Sequence, residues 1–271
     1  MNGVRPSDWL WKEGGGYYTQ SEEELIKQPL LPDMRWLRDR RLIGVFKRYG
    51  NLAAGSAVLE VGCGRSPWLP YLARNERCVA AGVDIEPVAA QLARANLSGA
   101  GAKGDILCRD AFDLKQNEDL IGKFDLVYSL GVIEHFDDAA RRLAVLAHYL
   151  KPKGRLLTMV PNLQGVNWAL QRLADRKLLE MHVIYNAKQL RWVHEAAGFQ
   201  TIAGGYVGFF DGFLTSAVGV SSGARRRIHQ WLCWASNMGC TAWTRLVNGV
   251  ATPELSWVAP LVFYVGRQTS P

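Results

Sequence analysis

Between residues 57 and 160 short apolar runs alternate with stretches of helical periodicity, and no other feature restricts the fold as strongly. The pattern predicts strands at 57–61, 79–83, 106–108, 124–129 and 155–160, with helices at 67–74, 87–97, 138–150 and a short one at 118–121. Strands this uniformly apolar have both faces covered, which is the condition of a parallel sheet with crossover helices. An antiparallel sheet open to water would alternate apolar and polar residues instead. The fold class read from this is α/β, with a doubly wound sheet.

The flanks read differently. Residues 1–33 form an aromatic arm, with a glycine turn at Gly14, Gly15 and Gly16, then Tyr17 and Tyr18, then an acidic helical start at 21–24. A helix over 34–49 is stopped by Gly50 and Asn51. After the fifth strand come helices at 166–179 and 186–197, the second ended by Gly198. Residues 205–256 hold an aromatic, glycine-rich stretch (Tyr206, Phe209, Phe210, Phe213), the cluster Arg225, Arg226, Arg227, and a Trp-rich helical run over 228–247. A last apolar strand at 257–265 closes the sheet. The expected organisation is 1–50 arm and helix, 51–204 core, 205–256 helical cap insertion and 257–271 final strand.

Of the 271 residues, 48% are hydrophobic and 21% charged, enough for a core without disulfides or structural metal. Cys63, Cys78, Cys108, Cys233 and Cys240 are odd in number and scattered, with no C-x-x-C, so reduced thiols and no metal site are expected. The net charge of +7 is spread without a long basic tract, which argues for a solubilising surface over a nucleic-acid arm. Residues 1–11 contain Arg, Asp and Pro where a signal peptide needs an apolar core, and no apolar run reaches the length of a membrane span. A cytoplasmic protein, at most peripheral to a membrane, is the expectation.

The ends of the predicted strands carry the chemistry. The first runs into Glu60, Val61, Gly62, Cys63, Gly64, Arg65, Ser66 and Pro67, where two glycines let a backbone turn approach a ligand and a helix N-terminus offers free N–H groups. The dinucleotide fingerprint G-x-G-x-x-G is incomplete, because Pro67 stands at its third glycine, so a ligand without phosphates suits the turn better. The plainer alternative is an ordinary strand-helix turn. The second strand ends at Asp84 and Ile85, where a carboxylate can accept the hydroxyls of an unphosphorylated ribose. The third leads to Asp110 and Ala111, a place for an adenine amino group, and the fourth to Ser129, Leu130, Gly131, Val132, Ile133, Glu134 and His135.

Together these motifs resemble the class I S-adenosylmethionine-dependent methyltransferases over residues 57–199, most of all the ubiquinone-type and natural-product O- and N-methyltransferases. The resemblance implies a Rossmann-like seven-stranded sheet with the last strand antiparallel, and S-adenosylmethionine as cofactor. It implies that Glu60, Gly62, Cys63 and Gly64 approach the methionine end, Asp84 and Ile85 the ribose, Asp110 and Ala111 the adenine, and Ser129 and Leu130 the sulfonium, with Tyr18 of the arm closing over them. Ser66 departs from the family pattern, standing where many members carry a third glycine.

Methyl transfer is an in-line displacement on a cofactor that already carries its leaving group, so the protein chiefly positions the acceptor. A hydroxyl acceptor also needs a base, and the candidates are His182, His135 and Glu134, with Tyr185 as hydrogen-bonding partner. The plainer alternative for each histidine is packing. Trp9, Trp11, Tyr17 and Tyr18 fit a lid or an aromatic strap equally. The Trp-rich run fits an anionic membrane surface or a cap helix docked on its own domain.

The functional expectation is methyl transfer to an O or N atom of a small aromatic or hydrophobic acceptor. Alternatives are a lipid-linked or polysaccharide precursor at a membrane, a nucleic-acid methyltransferase and a non-catalytic cofactor-binding protein. The nucleic-acid reading is disfavoured, because the fourth strand lacks the Asn/Asp-Pro-Pro-aromatic motif and no Pro-Cys nucleophile follows.

Overall fold

The computed structural model of the chain describes residues 21–211, 223–246 and 254–268. Its strands are β1 (Ala57–Val61), β2 (Val79–Asp84), β3 (Gly104–Cys108), β4 (Phe124–Leu130), β5 (Leu150–Pro161), β6 (Phe199–Val207) and β7 (Leu261–Gln268). They form one sheet in the order β3-β2-β1-β4-β5-β7-β6. Strands β1 to β5 pair in parallel, and β7 runs antiparallel between β5 and β6. The chain winds outward from β1 in both directions, so the crevice beyond the carboxyl ends of β1 and β4 is where such a sheet takes a ligand.

The helices are α1 (Glu22–Lys27), α2 (Leu37–Tyr49), α3 (Trp68–Asn75), α4 (Pro87–Gly99), α5 (Ala139–Ala147), α6 (Gly165–Ala174), α7 (Arg176–Glu180), α8 (Ala187–Ala196) and α9 (Gly223–Leu246). Alternate strand residues point to opposite faces, and each face is covered. Leu59, Val61, Val83 and Val127 pack with Leu143 and Leu146 of α5 and Leu190 and Val193 of α8. Val58, Leu126 and Tyr128 pack with Leu42 and Phe46 of α2 and Leu69 and Leu72 of α3. This double burial is why the strands read as unbroken apolar runs.

Four local expectations change. The helix expected over 138–150 stops at Ala147, and the chain re-enters the sheet at Leu150, opposite Phe124. Tyr149 is fully buried there and donates to the Ala111 carbonyl at 2.7 Å, a tertiary bond that ends the helix early. Residues 151–154, expected as a helix stop, lie inside β5 with Lys153 at φ +69°. The helix expected over 166–179 breaks at Asp175, whose carboxylate accepts from the N–H groups of Lys177 and Leu178 and so caps a separate α7. The last strand begins at Leu261, because residues before it are spent in a turn whose Trp257 carbonyl accepts from Val166 N–H at 3.0 Å.

Candidate functional site

The turn after β1 curls back onto the end of β2. Gly62 and Cys63 both donate to the Val83 carbonyl, at 2.8 and 3.3 Å, and Gly64 N–H donates to Asp84 Oδ2 at 2.8 Å. The other Asp84 oxygen accepts from Glu86 N–H at 3.0 Å. One carboxylate thus ties the glycine turn to the start of α4. Burial raises the Asp84 carboxyl above its ordinary value, against the N–H groups that favour its charged form.

Gly62 takes φ +70° with its backbone open to the crevice, and a Cβ there would stand 2.5 Å from Val132 Cγ2. A side chain would be strained and would collide with the β4 loop. Gly62→Ala should therefore cost about 1–3 kcal/mol of stability, read as a lowered denaturation midpoint.

Behind the turn, Glu60 is buried at 1% exposure and accepts from Tyr128 Oη at 2.9 Å and from the Ser66 hydroxyl. Burial pushes its carboxyl up to about 8. Ser66 Oγ also accepts from Trp68 N–H at 3.1 Å, so the residue at the departing position ties the first residue of α3 to Glu60. Cys63 turns its side chain into the sheet, against Gly82, and burial pushes its thiol well up; only its backbone borders the turn.

Around these, Ile85 stands 66% exposed at the end of β2. Asp110 uses Oδ1 to accept from Phe112 N–H at 2.8 Å, which fixes the turn after β3, and Ala111 is buried beside it. Ser129 is buried with its hydroxyl lacking a hydrogen bond, and Leu130 is half-buried. Tyr18, with Trp9, Trp11 and Tyr17, lies outside the described residues, as does Phe213.

After β4, a short 3-10 turn (Ile133–His135) carries Glu134 and His135. Val183 N–H donates to the Glu134 carbonyl at 2.7 Å and stitches the 180s loop to this turn. The stitch brings the His182 ring to 4.7 Å from that of His135. His182 Nδ1 lies 2.6 Å from the Leu178 carbonyl, which can only accept, so Nδ1 carries the proton and Nε2 the lone pair. His135 hydrogen-bonds the Gly131 carbonyl, and burial with the neighbouring His182 pushes it down to about 3, so it stays neutral. Tyr185 is buried in the core.

Glu134 is 2% exposed, neither carboxylate oxygen has a hydrogen bond, and burial pushes it up to about 8. It is the buried acid that sequence reasoning placed only as a possible base; at neutral pH it is a carboxylic acid, a donor. A donor atom from each of Glu134, His135 and His182 lies within 4.8 Å of the others, a spacing that a metal ion could also use, where no such set was expected.

The folded protein keeps the Glu134 proton between pH 4.5 and about 8, where the unfolded chain releases it. Its contribution to stability is full below pH 4.5 and is lost as pH rises through about 8. Glu134→Gln removes that loss. The variant should be more stable than the parent at about pH 9 and indistinguishable near pH 5, by thermal denaturation across the range.

One of the remaining histidines is structural. His194 is fully buried between the Leu190 carbonyl (2.7 Å) and Thr158 Oγ1 (2.8 Å), stacked on Tyr264. His148 is exposed at the end of α5. The side chain of His229 lies outside the described residues.

Residues 34–203 match the family model described as a methyltransferase domain. A ubiquinone biosynthesis O-methyltransferase of Xanthomonas axonopodis pv. citri is 31% identical over 117 residues, 43% of this chain and 48% of the relative. The chain spans about half the length of the curated relatives it matches. Among solved structures, the [4+2]-cyclase SpnF superposes with TM-score 0.57 at 18% identity, covering 86% of this chain and 82% of the other. A Haemonchus contortus phosphoethanolamine N-methyltransferase in complex with S-adenosyl-L-methionine gives 0.56 at 15% identity, covering 96% and 60%. At these identities the likeness speaks for the fold alone, and a cyclase among the neighbours shows that the fold does not fix the reaction. The family model nonetheless covers more than half of the sequence, over the same strands that carry the glycine turn, Asp84 and the Glu134-His135 pair; the chain belongs to the methyltransferase domain family, of the class I S-adenosylmethionine-dependent type.

Proposed function

We propose that this protein transfers a methyl group from S-adenosylmethionine to an oxygen or nitrogen atom of a small aromatic or hydrophobic acceptor. The observation that carries the reading is the cradle at the carboxyl ends of β1, β2 and β4. Gly62 holds an exposed left-handed turn closed against Val132, Asp84 is fixed at its rim, and the Ser129 hydroxyl and Glu134 carboxyl are buried beside it without hydrogen bonds.

In this reading the backbone at Gly62 and Gly64 borders the methionine end and Asp84 accepts from the ribose. Ile85 packs on the adenine, Asp110 and Ala111 meet its amino edge, and Ser129 and Leu130 lie beside the sulfur. Glu60 and Cys63 act from behind, holding the turn. When bound, the cofactor supplies an activated methyl and a neutral thioether leaving group.

The chain's own task is to hold the acceptor atom about 3 Å from that carbon, in line with the breaking bond, and to take the acceptor's proton. His182 Nε2 receives it, because Nδ1 is committed to Leu178. His135 is held neutral by burial, and Tyr185 supports the loop from the core. The curated relatives, named as ubiquinone biosynthesis O-methyltransferases, support an oxygen acceptor, and a second, lipid-linked class is favoured by the exposed Trp face of α9.

Calorimetric titration with S-adenosylmethionine and S-adenosylhomocysteine tests the cofactor, and an acceptor screen detecting S-adenosylhomocysteine tests the reaction. Micromolar binding with turnover on phenols or amines is the expected outcome. Turnover on RNA alone would overturn the acceptor class, binding without turnover would indicate a sensor, and no binding would remove the cofactor assignment.

A further inference from the structure

Helix α9 docks by one narrow stripe and leaves the opposite face to the surroundings. Cys233 and Asn237 are buried and Cys240 half-buried, at spacings of four and three residues that fall on one side of the helix. Asn237 donates to Asp211 Oδ1 at 3.0 Å, and Arg38 of α2 reaches Asp211 Oδ2 at 2.6 Å. On the other side Ile228, Trp231, Leu232, Met238, Trp243 and Leu246 are between 44% and 78% exposed. Spacings of three, four and seven residues link Ile228, Trp231, Leu232 and Met238, and a spacing of three links Trp243 and Leu246, so apolar side chains face outward along both halves of the helix. Helix α6, which α9 touches, adds exposed Val166, Trp168 and Leu173.

A stripe of this length facing water is uncommon on a soluble surface and marks an interaction face. Its charge says with what. Residues 223–246 contain Arg225, Arg226, Arg227 and Arg245, and no Asp or Glu. Two copies packed through this helix would bring cations together, whereas an anionic surface complements it. Tryptophan suits a boundary between water and hydrocarbon, with its ring in the apolar side and its N–H wet. Among the described residues no helix is long and apolar enough to cross a membrane, so the stripe can lie along a surface but not span one.

We propose that α9 is an interfacial helix that seats this protein on an anionic bilayer, with its outward Trp, Met and Leu side chains in the headgroup region and the net positive charge of the segment drawn to lipid phosphates. The inference goes beyond methyl transfer and does not rest on it. The docked stripe and the membrane stripe are opposite faces of one helix, so the helix can serve both roles at once. The methyltransferase core then stands at the bilayer surface, where an acceptor with an apolar tail is concentrated.

The test is flotation of the full chain with vesicles of equal parts phosphatidylcholine and phosphatidylglycerol, and with phosphatidylcholine alone. Partition should be at least about tenfold stronger to the anionic vesicles and weaken with added salt. Trp231→Gln, Trp243→Gln and Leu246→Gln combined should lower partition at least about tenfold and leave S-adenosylhomocysteine binding and helix content unchanged. A second variant, Arg225→Gln with Arg226→Gln and Arg227→Gln, should remove the preference for anionic lipid. No flotation of the parent chain, or equal flotation on both vesicle types, overturns the proposal. So does an apolar-face variant that floats like the parent, or one that merely turns a dimer into a monomer with neither form binding vesicles. Cofactor titration on the same samples separates this failure from failure of the methyltransferase reading, which predicts binding with or without lipid.

Discussion

His182→Ala lowers the methyl-transfer rate by about 10² to 10⁴, the range that a positioned general base contributes, with little change in cofactor affinity. The expectation rests on one hydrogen bond. With Nδ1 donating to the Leu178 carbonyl at 2.6 Å, the imidazole is fixed in orientation, and in the proposed mechanism Nε2 is the atom that takes the substrate proton. Removing the ring leaves the acceptor hydroxyl with no nearby neutral base of matched strength, since His135 is pushed down to about 3 and Glu134 is protonated until about pH 8. The loss should fall on kcat, because the acceptor is still positioned by the walls of the site. His182→Gln can restore the bond to Leu178 but not the base, and should remain as slow. Steady-state kinetics with an acceptor from the screen and calorimetry with S-adenosylhomocysteine decide it. A near-normal rate in the alanine variant returns His182 to a packing role and points to an acceptor, such as an amine, that needs no base.

Asp84→Ala acts on binding. The carboxylate does two things at once in the proposed site: it accepts from the ribose, and it accepts from Gly64 and Glu86 N–H at 2.8 and 3.0 Å. Its loss leaves two backbone donors without acceptors and the ribose hydroxyls without a charged partner. Charge-assisted bonds contribute about 1.5–3 kcal/mol each, so the summed effect after water re-solvates the donors is about 2–4 kcal/mol, or roughly 30- to 1000-fold in Kd. Asp84→Asn keeps one acceptor oxygen and should fall between. The fold should survive, because β2 is held by β1 and β3 along its length, and circular dichroism checks this. Unchanged affinity removes Asp84 from the site.

The two histidines show how far the sequence reaches into such a site. His135 follows directly from the motif after β4, and its place is fixed by a few bonds of local chain. His182 lies far along the chain, and nothing in its own neighbourhood says that it meets His135. The bond from Val183 N–H to the Glu134 carbonyl brings them together, a backbone contact without a sequence signature. Glu60 is a similar case. Its position at the strand end was legible, but the hydroxyls of Tyr128 and Ser66 that engage it come from the register of β1 against β4 and from the turn itself. Ser66 reads as a departure from the glycine pattern and proves to be a partner of both Glu60 and the Trp68 N–H.

The sequence by itself determined the sheet and its ligand end. Apolar runs with both faces covered can only be the inner strands of a parallel α/β layer, and glycines and acids at their carboxyl ends mark the crevice. Tertiary structure alone decided where helices stop, which polar groups are buried and which face of α9 is spare. Tyr149 leaves its helix to reach Ala111, Glu134 loses water to the core, and α9 turns its Cys233 stripe inward. Each depends on which distant surface arrives opposite a residue, and local periodicity carries no record of that partner.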